Sequence, residues 1–147
     1  MKQRFETFTV LINRINRNIR KIKNQEMVSH SLRSPHVSCL YYLYTQTNLT
    51  ATDLCERCEE DKATISRSLE YLETNGYLIC QDCGVKRYKS HFQLTKKGLI
   101  AGKEISDKIN NILDRISVGL TEEERVAFYR SLTVISNSLD AIANKFE

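Results

Sequence analysis

The apolar spacing of this chain changes period once, and that change narrows the folds open to it. From residue 50 to residue 75 apolar residues recur at helical steps of three and four, and directly after Asn75-Gly76 they begin to alternate. Thr52 is expected to cap a short helix from Asp53 to about Glu59, with Leu54, Cys55 and Cys58 on one face. The polar Glu59-Glu60-Asp61 separates it from a second helix that runs through Asn75. Gly76 stops that helix, because glycine is free to take the left-handed conformation. Tyr77-Leu78-Ile79-Cys80 then reads as a strand, Asp82-Cys83-Gly84 as a turn, and Ser90-His91-Phe92-Gln93-Leu94 as a returning strand. The unit is a short helix, a tight turn, a second helix and a hairpin.

The flanks are helical. Phe5, Phe8, Ile12, Ile15, Ile19 and Ile22 draw one apolar stripe, with Arg14, Arg17, Arg20, Lys21 and Lys23 on other faces. A stripe this narrow suits packing against a partner helix. Ser34-Pro35 is expected to open the next helix, serine as cap and proline in the first turn. That helix turns Val37, Leu40, Leu43 and Tyr44 inward and ends near Thr47-Asn48. Beyond the hairpin, Ile105, Ile109, Ile112 and Ile116 form a third stripe closed by Gly119. Thr121-Glu122-Glu123-Glu124 is a capping box, and Phe128, Leu132, Ile135, Leu139, Ile142 and Phe146 stripe the last helix. The expected class is mainly α with a small β-hairpin wing. Residues 1–33 are expected to form an N-terminal helix, 34–98 the lobe with the helix-turn-helix and its hairpin wing and 99–147 C-terminal helices, in one continuous domain.

Composition limits the function classes. At 147 residues and 41% hydrophobic content the chain can bury a core, and its 27% charged residues suit a soluble protein. No apolar run approaches a membrane span, and Phe5-Glu6-Thr7-Phe8 breaks any signal-peptide apolar region, so a cytoplasmic protein with no membrane partner is expected. The net charge of +4 is unevenly spread: residues 1–35 carry +6, 50–98 balance, and 99–147 carry −2. A basic N-terminal arm attracts phosphate or an acidic surface, although a solvated helix face is the simpler account of it. No Ser/His/Asp order, nucleotide loop or clustered carboxylate pair suggests catalysis, so neither an enzyme nor a cofactor is expected.

The second helix of the 50–94 unit carries the informative surface. With Ile65, Leu69 and Leu72 buried, Ala63, Arg67, Glu70 and Thr74 turn outward, flanked by Lys62, Thr64, Ser66 and Tyr71. Cys55 and Ala63 are small enough for the place where two such helices touch. Lys62, Thr64, Ser66 and Arg67 make a compact donor-rich face of the kind major-groove reading requires, Arg67 toward guanine edges and the others toward phosphate or base. An ordinary solvated helix face has the same composition. The hairpin adds Lys86-Arg87-Tyr88-Lys89, a basic run with one aromatic that can lay Arg87 in a minor groove and Lys86 or Lys89 along phosphates. A charged tip that only keeps an edge strand soluble is the plainer alternative.

These features together resemble the MarR family (multiple antibiotic resistance regulators) over nearly the whole length. The most specific stretches are Thr52-Asp53-Leu54-Cys55, Lys62-Ala63-Thr64-Ile65-Ser66-Arg67-Ser68-Leu69, Leu72-Glu73-Thr74-Asn75-Gly76-Tyr77-Leu78 and Leu94-Thr95-Lys96-Lys97-Gly98. The resemblance implies an obligate, triangular homodimer held by helices one, five and six, with a wing-bearing lobe on each side. It implies a double-stranded DNA operator of pseudo-palindromic sequence, and most simply a repressor released by a small-molecule effector. DNA contacts are carried onto Lys62, Ala63, Thr64, Ser66, Arg67, Lys86, Arg87, Tyr88 and Lys89. The family often has Asp-x-Arg in the wing, and those two positions are Lys86 and Tyr88 here, which leaves Arg87 as a substitute for the minor-groove arginine. His30, Arg33 and His36 flank the junction of helices one and two, near where relatives bind effectors, and are weaker candidates.

Cys55-Glu56-Arg57-Cys58 and Cys80-Gln81-Asp82-Cys83 have the spacing of a four-thiolate zinc site. The first pair occupies positions that a helix-turn-helix turns into its core, and the second lies on the hairpin, so a shared ion is disfavoured and no metal is expected. A disulfide between Cys80 and Cys83 that twists the wing is a remaining alternative, making the chain a metal- or thiol-sensing regulator through its Cys-x-x-Cys pairs. Cys39, inside the second helix, is most simply core.

Overall fold

The computed structural model describes residues 3–81 and 89–146. In chain order it contains α1 (Gln3–Glu26), a 3-10 turn (Val28–His30), α2 (Ser34–Thr45), α3 (Ala51–Cys58), α4 (Lys62–Thr74), β1 (Leu78–Cys80), β2 (Phe92–Leu94), α5 (Lys96–Ile116) and α6 (Glu122–Ala143). A mainly helical chain with a small hairpin is therefore observed. Two compact units divide it, Met1–Lys108 and Ile109–Glu147. Among the described residues no helix is long and apolar enough to cross a membrane.

In the first unit, the core begins where α1 ends, with Met27 and Leu32 buried on either side of the 3-10 turn. Ser31 leaves that turn in the left-handed region at φ 57°. The cap of α2 is Arg33 rather than the expected Ser34: its backbone N–H donates to His36 Nδ1 at 3.1 Å. Ser34 lies inside the first turn, where its N–H donates to Asn24 Oδ1 at 2.7 Å and ties α2 to the end of α1. Val37, Cys39 and Leu40 are buried, but Tyr44, expected inward, is 37% exposed. Its Cβ and ring lie against Gly102 of α5, where any larger residue would crowd them, so Tyr44 faces α5 instead of the central core.

The cap of α3 is also displaced from expectation. Thr50, not Thr52, holds it: Asp53 N–H donates to Thr50 Oγ1 at 3.2 Å, and Thr50 N–H donates to Asp53 Oδ2 at 2.8 Å. The cap thus lies two residues earlier than expected, and Thr52 is left exposed. Only Leu54 of α3 is buried; Cys55 and Cys58, expected in the core, are half-buried. Their small side chains sit on the flanks of the stripe that Leu54 anchors.

Ile65, Ser68, Leu69 and Leu72 of α4 are buried, and α4 packs on both α2 and α3. Gly76 at φ +78° lets the chain reverse, and Tyr77 N–H returns to the Leu72 carbonyl at 2.8 Å. β1 and β2 then pair antiparallel with Leu78 opposite Leu94, Ile79 opposite Gln93 and Cys80 opposite Phe92. Leu78 and Phe92 face the core while Ile79 faces solvent, the period-two pattern read from the sequence. A bridge between Thr50 and His91 joins the returning strand to the start of α3. Thr95 caps α5 by accepting from Gly98 N–H at 3.1 Å, and its hydroxyl donates to the Gly76 carbonyl at 2.6 Å. The hairpin and the end of α4 are thereby locked to the start of α5.

The second unit contains the last turns of α5 and all of α6. Thr121 and Glu124 form the expected capping box, with Glu124 N–H donating to Thr121 Oγ1 at 3.2 Å and Thr121 N–H to Glu124 Oε2 at 2.8 Å. No residue of α6 is buried within the monomer. Phe128, Ile135, Leu139 and Ile142 are exposed along it, and in the first unit Phe8, Ile12, Ile15, Ile19 and Ile22 are exposed along α1.

Candidate nucleic-acid interface

The core spine of α4 decides which of its residues can meet another molecule. With Ile65, Leu69 and Leu72 fixed inward, Lys62, Ala63, Ser66, Arg67, Glu70 and Thr74 are exposed and Thr64 and Tyr71 are half-buried. Ala63 is thus outward only; it is not at the crossing of the two helices, where a small residue was also expected.

The first turn of α4 is tightly ordered. Asp61 Oδ1 accepts from Thr64 N–H at 2.7 Å, and this bond holds the Asp61 carboxyl below the usual carboxylate range. Arg67 Nη2 donates to Thr64 Oγ1 at 3.4 Å, which biases the guanidinium toward the helix N-terminus. The positive end of the helix dipole, Lys62 and Arg67 act together there, while Glu70 makes the next turn acidic. A face that is cationic only at its N-terminal end suits a helix presented end-first to a groove.

α4 is held from behind by α2. His36 stacks on Tyr71 with ring centroids 4.4 Å apart, and Tyr71 Oη donates to the Ser31 carbonyl at 3.0 Å. Burial, and then the charge of Arg33, hold His36 below its ordinary pKa. His36 is therefore a structural buttress, a role its isolated place in the sequence does not signal.

On the hairpin, Lys89 is exposed. Lys86, Arg87 and Tyr88 lie outside the described residues, as does Cys83.

A cavity of about 340 Å³ is lined by His30, Tyr77, Lys96, Lys97, Ile100 and Ala101. Lys97 Nζ donates to the Asn75 carbonyl at 2.7 Å and sits 4.3 Å from the centroid of the Tyr77 ring, and His30 Nε2 is 3.4 Å from Glu104 Oε2. Of the three candidate effector residues, His30 borders this cavity; Arg33 and His36 are not among its lining residues. Tyr77, Lys96 and Lys97 were not anticipated there, since only the α4–hairpin–α5 closure brings them beside His30.

Among the described residues no group of three or more His, Cys, Asp or Glu side chains is placed to hold a metal ion. Among the described residues Cys39 is a buried free thiol, and Cys55, Cys58 and Cys80 are half-buried ones.

A MarR family model matches residues 30–84, which spans α2 through β1. A MarR family regulator from Neisseria meningitidis superposes with a TM-score of 0.81 at 17% identity, covering 97% of each chain. A MarR family transcriptional regulator from Silicibacter pomeroyi gives 0.74 at 25% identity over 85% of this chain and 84% of its own. MepR of Staphylococcus aureus, solved in complex with DNA, gives 0.79 at 19% identity over 90% and 97%. No curated protein matches the chain in sequence. The sequence match to the MarR family model falls on the helix-turn-helix, and the structural likeness extends over the rest, so the chain has the winged-helix fold of MarR family regulators.

Proposed function

We propose that the protein is a sequence-specific, double-stranded-DNA-binding transcriptional regulator that acts as a homodimer in the cytoplasm. The observation that carries this reading is the N-terminal face of α4: Lys62, Thr64, Ser66 and Arg67 stand on a fully buried spine beside the hairpin. A rigid helix with hydroxyl and guanidinium donors at its exposed end is suited to base edges and phosphates of a major groove. Lys86, Arg87, Tyr88 and Lys89 supply the adjacent minor-groove and phosphate contacts.

The homodimer reading is supported by the apolar stripes of α1 and α6, which a monomer leaves in water. Residues 1–33 and 99–147 are assigned to dimerisation and residues 34–98 to DNA. Two lobes related by a twofold axis recognise a pseudo-palindromic operator. The most economical mode is repression, relieved when a small molecule enters the cavity beside His30. Lys96 and Lys97 at its edge favour an anionic effector.

Binding to a duplex taken from upstream of the gene tests this directly. Affinity is expected to fall steeply between about 50 and 200 mM salt, since a dimer with two α4 helices and two hairpins neutralises several phosphates. A random duplex is expected to bind far more weakly. Equal affinity for both, or binding indifferent to salt, overturns the reading.

A further inference from the structure

Only Glu59, Glu60 and Asp61 join α3 to α4. Glu59 ends α3 in the left-handed region at φ 53°, a conformation that a Cβ makes costly, and Asp61 caps α4. Glu60 stands between them. Its N–H donates to the Cys55 carbonyl at 3.2 Å, and its side chain turns back toward α1. There Arg20 Nη2 lies 3.4 Å from Glu60 Oε1. The carboxylate side chain is 16% exposed and that of Arg20 55%, so the anion is sheltered and the cation closes over it from the rim.

The same stretch of α1 also holds α2. Lys23, one turn beyond Arg20, donates from Nζ to Oγ of the buried Ser38 at 3.0 Å, and Asn24 Oδ1 accepts the Ser34 N–H at 2.7 Å. Ile12, Ile15, Ile19 and Ile22 remain exposed along the apolar stripe of α1. One helix therefore carries an uncovered apolar stripe and, beside it, three polar contacts to the helix-turn-helix. Of these, the contact with Glu60 is the one that reaches α4, because Glu60 adjoins the Asp61 cap. An ion pair with one partner this exposed adds little stability. What it fixes is the separation of α1 from the N-terminal end of α4, which carries Lys62, Thr64, Ser66 and Arg67.

We propose that Arg20 and Glu60 are positioning residues that fix α4 to α1 and thereby set the half-site spacing the protein accepts. Two α4 helices related by a twofold axis keep one separation when each is held against the helix that joins the protomers. Each base pair added between half-sites moves one of them by about 3.4 Å and turns it by about 35° around the duplex. An α4 held by Glu60 cannot follow, so the DNA must deform instead; a released α4 can follow. The effect on spacing rests on the proposed dimeric, DNA-binding function. The joint between α1 and α4 does not.

The test compares the full-length wild type with Arg20→Gln, Glu60→Gln, the double variant and Arg20→Lys. Amide hydrogen exchange reads the joint without DNA. Arg20→Gln and Glu60→Gln should speed exchange over residues 59–66 by about two- to fivefold, the range an ion pair of this exposure gives. The double variant should exchange no faster than either single one, since both act through one contact. Arg20→Lys, which keeps the charge, should stay near wild type. Should Glu60→Gln fail to fold, Arg20→Gln carries the test, because its side chain is more than half exposed.

Binding uses the duplex from upstream of the gene, with one base pair added to or removed from its centre. The wild type should prefer the native spacing by at least about fivefold, the least cost of deforming DNA back into phase, and Arg20→Gln should reduce this to about twofold or less. A contribution to stability alone would lower affinity for all three duplexes in the same proportion and leave the preference intact. That result overturns the positioning role, as does unchanged exchange over residues 59–66. A wild type that prefers this duplex to random DNA but is indifferent to spacing overturns the effect on spacing and leaves the proposed function standing. Faster exchange in variants of a protein that binds none of these duplexes better than random DNA counts against the proposed function and leaves the joint standing.

Discussion

His36 shows how one side chain can join two elements and make stability depend on pH. Its Nδ1 accepts the N-cap N–H of α2 and its ring stacks on Tyr71 of α4. Both contacts suit the neutral ring, since a protonated Nδ1 cannot accept, and burial also lowers the folded pKa. The unfolded chain therefore takes up the proton first. Stability should be fully present above the unfolded histidine value of about 6.5 and should decline as pH falls through it toward the lower folded value. The midpoint of thermal unfolding should drop from pH 7 to pH 5 more in the wild type than in His36→Gln; equal drops would remove His36 from the account. This buttress was not legible in the sequence, where His36 is one of three scattered histidines. What could be read was the facing of α4, because the burial of Ile65, Leu69 and Leu72 sets every other residue of the helix. The cap of α3 was misplaced because Thr50 and Thr52 both precede Asp53 closely, and only the observed hydrogen bonds separate them.

At the scale of elements, the lobe depends on how closely α5 approaches the turn after α4. A Cβ added at Gly98 would overlap the Tyr77 carbonyl oxygen and lie 3.1 Å from Leu94 Cδ2, so no larger residue fits without moving α5 or the hairpin. Gly98→Ala should destabilise by about 1–3 kcal/mol, the usual cost of overpacking. Denaturant unfolding would show it, and an unchanged midpoint would mean that α5 does not sit this close. Gly98 belongs to the Leu94-Thr95-Lys96-Lys97-Gly98 stretch that carried part of the family resemblance, and the close approach of α5 gives a physical reason for a glycine there. Periodicity located the helices and the two strands well, since each gathers its apolar residues on one face. It could not show which helices touch. That His30 and Lys97 border one cavity follows from tertiary packing alone.

At the scale of the whole molecule, the apolar stripes make association the expected state. Ile135 and Leu139 are 39% and 52% exposed in the isolated chain, and Ile12, Ile15 and Ile19 are similarly open on α1. Light scattering at micromolar concentration should give twice the 17.1 kDa chain mass, and charges placed at Ile135 and Leu139 should split or unfold the dimer. A wild-type mass of one chain would contradict the dimer. The central claim, that α4 reads the operator, is tested most directly by comparing Arg67→Ala with Arg87→Ala on the operator and on random duplex. Both proteins should remain folded and dimeric, since Arg67 is exposed and neither residue belongs to an apolar stripe. Arg67→Ala should cost about 1–3 kcal/mol on the operator, far less on random duplex, and relax the preference at one position per half-site. Arg87→Ala should weaken both duplexes more evenly and flatten the salt dependence by about one ion per wing. If operator preference survives Arg67→Ala and is lost in Arg87→Ala, the hairpin is the reader and the assignment of α4 is wrong.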